Sequence, residues 1–353
     1  MATSTFGRGR PTRSAGPVLA VLMIMVVLGS CAVPAPHPAR GSSAAPAERI
    51  RLAVSVPLGG EVDGLTAGGG DLWAYVRDTG VLVRVDQRTG QARRFVLGAS
   101  RGMPVVVAAG PHGLWLANQH STRPDLVLID PHSGRVAARP RLPGDSGPVT
   151  GLAAGYGSLW ILVPDGAVPP GWRVLRLNPA TGRVDGISAG TPGTQLTGHT
   201  AAIWASSGQI WVTGSMPVIV RLDPRTLALH ETATADLSEG LVFGGGHAWA
   251  LDAGRPQLAV VDPLTGKVIR TVTTPPPSTT GDDYVVAGPD LLWVFRGSRL
   301  SQLNPATGRI MTSARIDPIA PAFYSPAVVA GRGLWYLAQT GRGIVLDRIV
   351  PAP

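Results

Sequence analysis

Residues 105–138 read VVVAAGPHGLWLANQHSTRPDLVLIDPHSGRVAA. Four short runs of β-forming residues stand out in this stretch, at 105–109, 114–118, 126–130 and 135–138. The turn Gly110-Pro111-His112-Gly113 joins the first two, and Asp130-Pro131-His132-Ser133-Gly134 joins the last two. Glycine permits positive φ in a tight turn, the Asp130 side chain can accept from the backbone two residues ahead, and Pro131 presets φ at the next corner. The pattern predicts a four-stranded antiparallel meander. A unit this small cannot bury its own faces, so it needs neighbours of its own kind.

Those neighbours are present. A tryptophan phrase marks the second run of each unit: Asp71-Leu72-Trp73, Gly113-Leu114-Trp115, Ser158-Leu159-Trp160, Gln209-Ile210-Trp211, His247-Ala248-Trp249, Leu291-Leu292-Trp293 and Gly333-Leu334-Trp335. Successive tryptophans lie 42, 45, 51, 38, 44 and 42 residues apart. A period in the forties carried by short strands is that of a propeller blade. The Asp/Asn-Pro-x-Thr/Ser-Gly turn recurs at 178–182, 262–266 and 304–308, without its proline at 86–90 and without its glycine at 223–227. On these residues the chain resembles the YVTN-type β-propeller repeats over roughly residues 50–350. The expected fold is therefore all-β, a seven-bladed propeller of four-stranded antiparallel blades.

The seventh unit is short. After Gly343-Ile344-Val345-Leu346-Asp347 the sequence has no Thr-Gly turn and no fourth strand. A run at 50–56, IRLAVSV, precedes the first unit without a partner there. Pairing it with the last blade would close the ring and cover two exposed edges. The seven phrase tryptophans are expected as core between blades. Trp204 falls on an inner strand, and Trp172, with the long insertion that begins at Pro164, is expected as an exposed contact.

The first thirty residues read as an export signal. Arg8, Arg10 and Arg13 precede an apolar run at 18–28, too short to span a bilayer stably. Leu28-Gly29-Ser30-Cys31 resembles a bacterial lipobox, which implies lipidation of Cys31 after cleavage and a protein held at the outer face of the cytoplasmic membrane. Residues 31–48, rich in Pro, Ala and Ser, read as a flexible tether, and 49–353 as the propeller. Cys31 is the sole cysteine, so the expected domain has neither a disulfide nor a thiol nucleophile.

Charged residues make up 15% of the chain, and the formal charge is +9, with arginine outnumbering lysine thirty to one. That bias fits a GC-rich genome, and the cations form no run. Contact with anionic surface polymers or lipid headgroups is compatible with this charge, whereas nucleic acid is a poor fit for an exported chain. A monomer without a cofactor is expected.

In each meander the first and third connections lie on one face and the second lies on the other, with the links between blades. The first and third are short and stereotyped, and the others vary. Variable loops on a rigid ring are where binding residues concentrate. The second connections offer Asn118, Gln119, His120, Arg123, Asp165, Trp172, Arg255, Arg296 and Gln339. The links offer Arg101, Asp145, Glu239, Asp282, Asp283 and Tyr284.

Catalytic patterns are sparse. The seven histidines have no metal-ligand spacing, and Asp282-Asp283 lacks the alternating acids of a calcium loop. Gly144-Asp145-Ser146-Gly147-Pro148 resembles the serine motif of trypsin-like proteases but lacks that pattern's further glycine before the proline and lies in a blade link. No Gly-x-Ser-x-Gly elbow, P-loop or dinucleotide fingerprint is present. Streptogramin lyases are propellers with similar repeats, and that resemblance implies, as an alternative, a metal-assisted elimination on the variable face. Glu48, Glu61, Glu231 and Glu239 are the only glutamates, and His230-Glu231 the only adjacent His-Glu pair. Quinone-cofactor propellers have eight blades and a different tryptophan pattern. The sequence thus favours a binding or scaffolding module for an envelope protein, a glycan or a small ligand.

Overall fold

A computed structural model describes residues 50–97, 105–119, 125–144, 146–165, 171–190, 202–213, 218–233, 241–252, 254–279, 283–288, 290–320, 326–331 and 333–351. The chain enters on β1 (Ile50–Pro57). Blade 1 is β2 (Val62–Gly68), β3 (Asp71–Val76), β4 (Val81–Asp86) and β5 (Ala92–Val96). Blade 2 is β6 (Val105–Gly110), β7 (Gly113–Asn118), β8 (Leu126–Ile129) and β9 (Val136–Ala138). Blade 3 is β10 (Gly151–Gly155), β11 (Ser158–Pro164), β12 (Trp172–Asn178) and β13 (Arg183–Ile187). Blade 4 is β14 (Ala202–Ser206), β15 (Gln209–Thr213), β16 (Val218–Leu222) and β17 (Leu229–Ala233). Blade 5 is β18 (Leu241–Gly244), β19 (His247–Leu251), β20 (Gln257–Val261) and β21 (Val268–Thr273). Blade 6 is β22 (Asp283–Ala287), β23 (Leu292–Arg296), β24 (Arg299–Leu303) and β25 (Ile310–Arg315). Blade 7 is β26 (Ala327–Ala330), β27 (Gly333–Thr340) and β28 (Gly343–Pro351), completed by β1.

Every sheet is antiparallel with four strands in the order of the meander, and first strands of neighbouring blades touch, as β2 does with β6 and β26. This is the seven-bladed ring read from the repeats. Its closure is as expected: β1 runs antiparallel to β28 from Ile50 opposite Pro351 to Pro57 opposite Val345. All 28 strands among the described residues lie within the compact unit Pro46–Pro353, and each finds its partners there.

The phrase tryptophans form the core. Trp73, Trp115, Trp160, Trp211, Trp249, Trp293 and Trp335 are all fully buried on the second strands. In blades 3, 4 and 5 the indole N–H donates to the carbonyl five residues back (Gly155, Ser206 and Gly244), tying the tryptophan to its own turn. The long apolar body thus fills the wedge between blades while the polar edge finds a partner.

Arginines do structural work opposite those tryptophans. Arg84, Arg176, Arg221 and Arg348 sit on third strands directly across from Trp73, Trp160, Trp211 and Trp335. Arg84 lies 5.7 Å from the Trp73 ring centre and donates at 3.1 Å to the Pro131 carbonyl in the next blade's turn. Arg176 reaches the Pro224 carbonyl at 3.0 Å, and Arg221 the Leu264 carbonyl, in the same way. Arg94 clamps the closure itself, donating to the carbonyls of Leu58 (2.8 Å) and Pro57 (2.6 Å). The planar guanidinium, with several donors and a face that stacks on an aromatic ring, suits this bridging better than an ammonium would.

The third connections fold as Asx turns. Asp86, Asp130 and Asp223 each accept from the two backbone amides that follow the corner. These amide bonds hold the exposed carboxyls below their ordinary range. The fifth position is left-handed, with φ 70° at Gly134, and in blade 4 Leu227 adopts φ 61° there. Leu227 fills the space above Gly186, where an added Cβ would lie 2.7 Å from Leu227 Cδ1. The missing glycine of that turn is therefore matched by a glycine on the preceding blade.

Candidate functional site

Second connections and blade links share one face, hereafter the loop face. First and third connections form the opposite turn face. Of the expected site residues, Cys31, Arg101, His120, Arg123, Asp145, Glu239 and Asp282 lie outside the described residues. Of the others, Asn118 falls at one place on the loop face and Arg255, Asp283 and Arg296 at a second, while Gln119, Asp165, Trp172, Tyr284 and Gln339 lie apart from both.

The first place is a shallow, partly open pocket between blades 1 and 2. Tyr75, Leu97, Val105, Leu116, Val127 and Val136 make it mainly apolar. Asn118, the last residue of β7, and the ion pair Arg139–Asp125, 2.9 Å apart and half exposed, supply the polar edge. Asn118 is among the residues expected from the sequence, and the pair is not. The signal was present: Asp125 just precedes β8 and Arg139 just follows β9, so the hairpin brings opposite charges side by side at its open end.

Behind the pocket wall lies a buried acid that was also missed. Asp63, on β2, is fully buried; its Oδ2 accepts from the Val105 amide at 3.1 Å. The Arg77 guanidinium stands 3.3 Å from Oδ1 and also pairs with Glu61. Burial pushes the Asp63 carboxyl up to about 7; the Val105 amide pulls it back, and the charge of Asp78 adds to the rise. Burial, with the Asp63 charge second, in turn raises the Tyr75 phenol to about 12.

The second place joins blades 5 and 6 and gathers Arg255, Asp283 and Arg296. Asp283 opens β22 and Arg296 ends β23, directly opposite each other, with 2.7 Å between Nη1 and Oδ2 and almost no exposure. Arg296 Nη2 also donates to the carbonyls of Asp252 (3.1 Å) and Arg255 (2.9 Å) and to Thr274 Oγ1 (3.0 Å). Asp283 accepts from the Ser278 amide. The pair expected as loop ligands is thus a buried clamp holding a second connection and a blade link in place. Only the Arg255 side chain remains largely exposed. Asp63 and Asp283 both stand ten residues before their blade's tryptophan, as Glu239 does in sequence.

Trp172 is corrected outright. It begins β12, packs with Trp160, Val174 and Ile203, and is 1% exposed, so it is core and not a contact. The insertion leaves the ring at Asp165, whose carboxylate and amide bond the Gly171 backbone, and this neck feeds Trp172 straight into the sheet. Gln119 is also buried, bridging to the Thr150 carbonyl of blade 3 at 3.3 Å. Tyr284 packs half-buried between blades 6 and 7, and Gln339 is exposed at the end of β27. Among the described residues no three His, Cys, Asp or Glu side chains are grouped to hold a metal.

Known structures agree with this architecture and stop there. The chain is similar to the structure of U3-55K, with a TM-score of 0.61 at 13% identity over 86% of this chain and 98% of that one. It is similar also to the RRP9 WD40 repeats, TM-score 0.61 at 13% identity over 88% and 98%. AztD from Citrobacter koseri aligns at TM-score 0.48 and 12% identity over 73% and 72%. No family model and no curated protein matches the sequence. At such identities the likeness is one of fold.

Proposed function

We propose that this propeller is an exported, lipid-anchored binding module of the cell envelope, built of YVTN-type repeats, whose loop face takes up its ligand between blades 1 and 2. The pocket is the observation that carries this reading. It pairs an apolar floor with a few polar groups at one edge, the usual make-up of a ligand site. Its walls belong to strand ends in two adjacent blades, so a ligand there meets a rigid surface. A ligand with an apolar body and one polar group fits, the polar group meeting Asn118 or the Arg139–Asp125 pair. The lipobox-like Leu28-Gly29-Ser30-Cys31 supports the envelope setting.

The test is site-specific photocrosslinking in intact cells of a native host. A photoreactive residue at Asn118 should give a discrete adduct that is lost on Leu116→Trp, which fills the pocket. The same residue at Ser133, on the turn face, should not give that adduct. Equal adducts from both faces, or an Asn118 adduct that survives Leu116→Trp, would overturn the proposal.

A further inference from the structure

The turn face is not uniform. Ten large apolar side chains are exposed among the described residues, and six of them belong to three consecutive blades: Leu264, Val268 and Ile269 in blade 5, Ile310 and Met311 in blade 6, and Leu52 in blade 7. Leu264 lies in the third connection of blade 5, and the other five sit at the turn-face end of the outer strands. Val268 and Ile310 are opposite the last residues of β20 and β24, and Leu52 is opposite Ile349 near the end of β28. In both β21 and β25 the register shifts at this point, leaving Ile269 and Met311 as the extra residues of β-bulges. A bulge releases its extra residue from the ladder, which here leaves Ile269 and Met311 53% and 45% exposed. Blades 2 and 3 carry the same bulge but place Ala137 and Asp185 in it. The difference between repeats therefore lies on the face whose turns are stereotyped.

Charge accompanies the patch. Each third connection presents one exposed cation: Arg88, Arg135, Arg183, Arg225, Lys267 and Arg309. Lys267 and Arg309 directly precede the apolar pairs Val268-Ile269 and Ile310-Met311. The chain also enters the ring here. Ile50 packs into the cluster between blades 6 and 7, at the turn-face end of β1 and beside the patch.

We infer that the turn-face rim of blades 5, 6 and 7 docks on an anionic lipid surface, with Ile269 and Met311 dipping among the acyl chains and Lys267 and Arg309 meeting headgroup phosphates. Bulge-exposed apolar side chains beside cations match the chemistry of that interface. The loop-face pocket then points away from the membrane. The choice of a membrane as occupant rests on the exported, lipid-anchored reading; the patch itself consists of propeller residues alone.

The experiment uses residues 46–353, which hold every strand of the ring, sedimented with vesicles of phosphatidylglycerol and phosphatidylcholine or of phosphatidylcholine alone. Binding is expected to the anionic vesicles and to weaken with salt. Lys267→Gln with Arg309→Gln should weaken it roughly 30-fold, at about fivefold per charge. Ile269→Ser with Met311→Ser should weaken it at least tenfold, while Arg135→Gln with Arg183→Gln, away from the patch, should change it less than threefold. Unchanged circular dichroism establishes that each variant is folded. Binding that ignores the blade 5 and 6 changes, equal binding to neutral vesicles, or self-association that buries Met311 would overturn the inference. Fractionation of the full chain carrying Cys31→Ser tests the lipid anchor separately.

Discussion

Gly134→Ala probes how the blades lock together. Gly134 has φ 70°, and an added Cβ would lie 1.9 Å from Phe95 Cδ1 and 2.3 Å from Cγ. The Phe95 ring, from the outer strand of blade 1, rests on this glycine of blade 2, stacked 6.3 Å from Trp73 and covered by Arg93. No small shift relieves such an overlap, so the ring must move out. Gly157→Ala is the control: φ is 73° and nothing lies within 4 Å of the new Cβ. The left-handed backbone alone costs about 1–2 kcal/mol, offset by up to about 1 kcal/mol from a stiffer unfolded chain. Gly157→Ala should therefore cost about 2 kcal/mol or less. Displacing Phe95 adds roughly 1.5–3 kcal/mol of lost burial and about 1 kcal/mol of ring stacking, so Gly134→Ala should cost about 3–5 kcal/mol. Equilibrium urea unfolding, with the slope held constant, measures both. In a Phe95→Ala background the cost of Gly134→Ala should fall to that of the control. If the two alanine variants differ by less than 1 kcal/mol, the socket account is wrong.

Other outcomes follow from the same packing. Arg296→Met leaves Asp283 buried without its partner and should cost roughly 3–5 kcal/mol in urea unfolding, whereas exposed Arg255→Met should cost under about 0.5 kcal/mol. Asp63 makes stability depend on pH with a definite sign. Its folded-state carboxyl titrates near 7 against about 3.9 when unfolded, so the folded protein holds the extra proton between those values. Stability should fall as pH rises from about 4 to 7, by up to about 4 kcal/mol before the opposing pull of Arg77, and level off above. Unfolding midpoints of the parent and Asp63→Asn at pH 4.5 and 8 test this; a parent that gains stability relative to the variant at pH 8 would contradict it. Deleting residues 49–57 removes the outer strand of blade 7 and should lower the melting temperature sharply or prevent folding, read by circular dichroism.

The ring was legible because its signals are local and repeated. Each tryptophan follows a turn, each Asx corner names its own residues, and an unpaired run at 50–56 answers a missing fourth strand at the other end. The site was less legible because burial of loop residues depends on which blade they lean against. Arg296 looks like a loop cation in sequence, yet three of its partners come from blade 5 and the link beyond it. Trp172 follows an insertion, yet the Asp165–Gly171 neck delivers it into a strand. Spacing alone does not report a bulge, so Ile269 and Met311 look like ordinary strand residues until the register is known.

On the two proposals together, the loop face takes ligand and the turn face meets lipid. With Cys31 the only cysteine, residues 46–353 accept a single thiol-reactive fluorophore wherever one cysteine is introduced. The decisive measurement is quenching of that fluorophore by brominated phosphatidylglycerol vesicles, with the label at Met311→Cys on the turn face or at Asn118→Cys beside the pocket. Strong quenching at position 311 and none at 118 is the predicted result. Quenching at 118 with position 311 left bright would contradict the account.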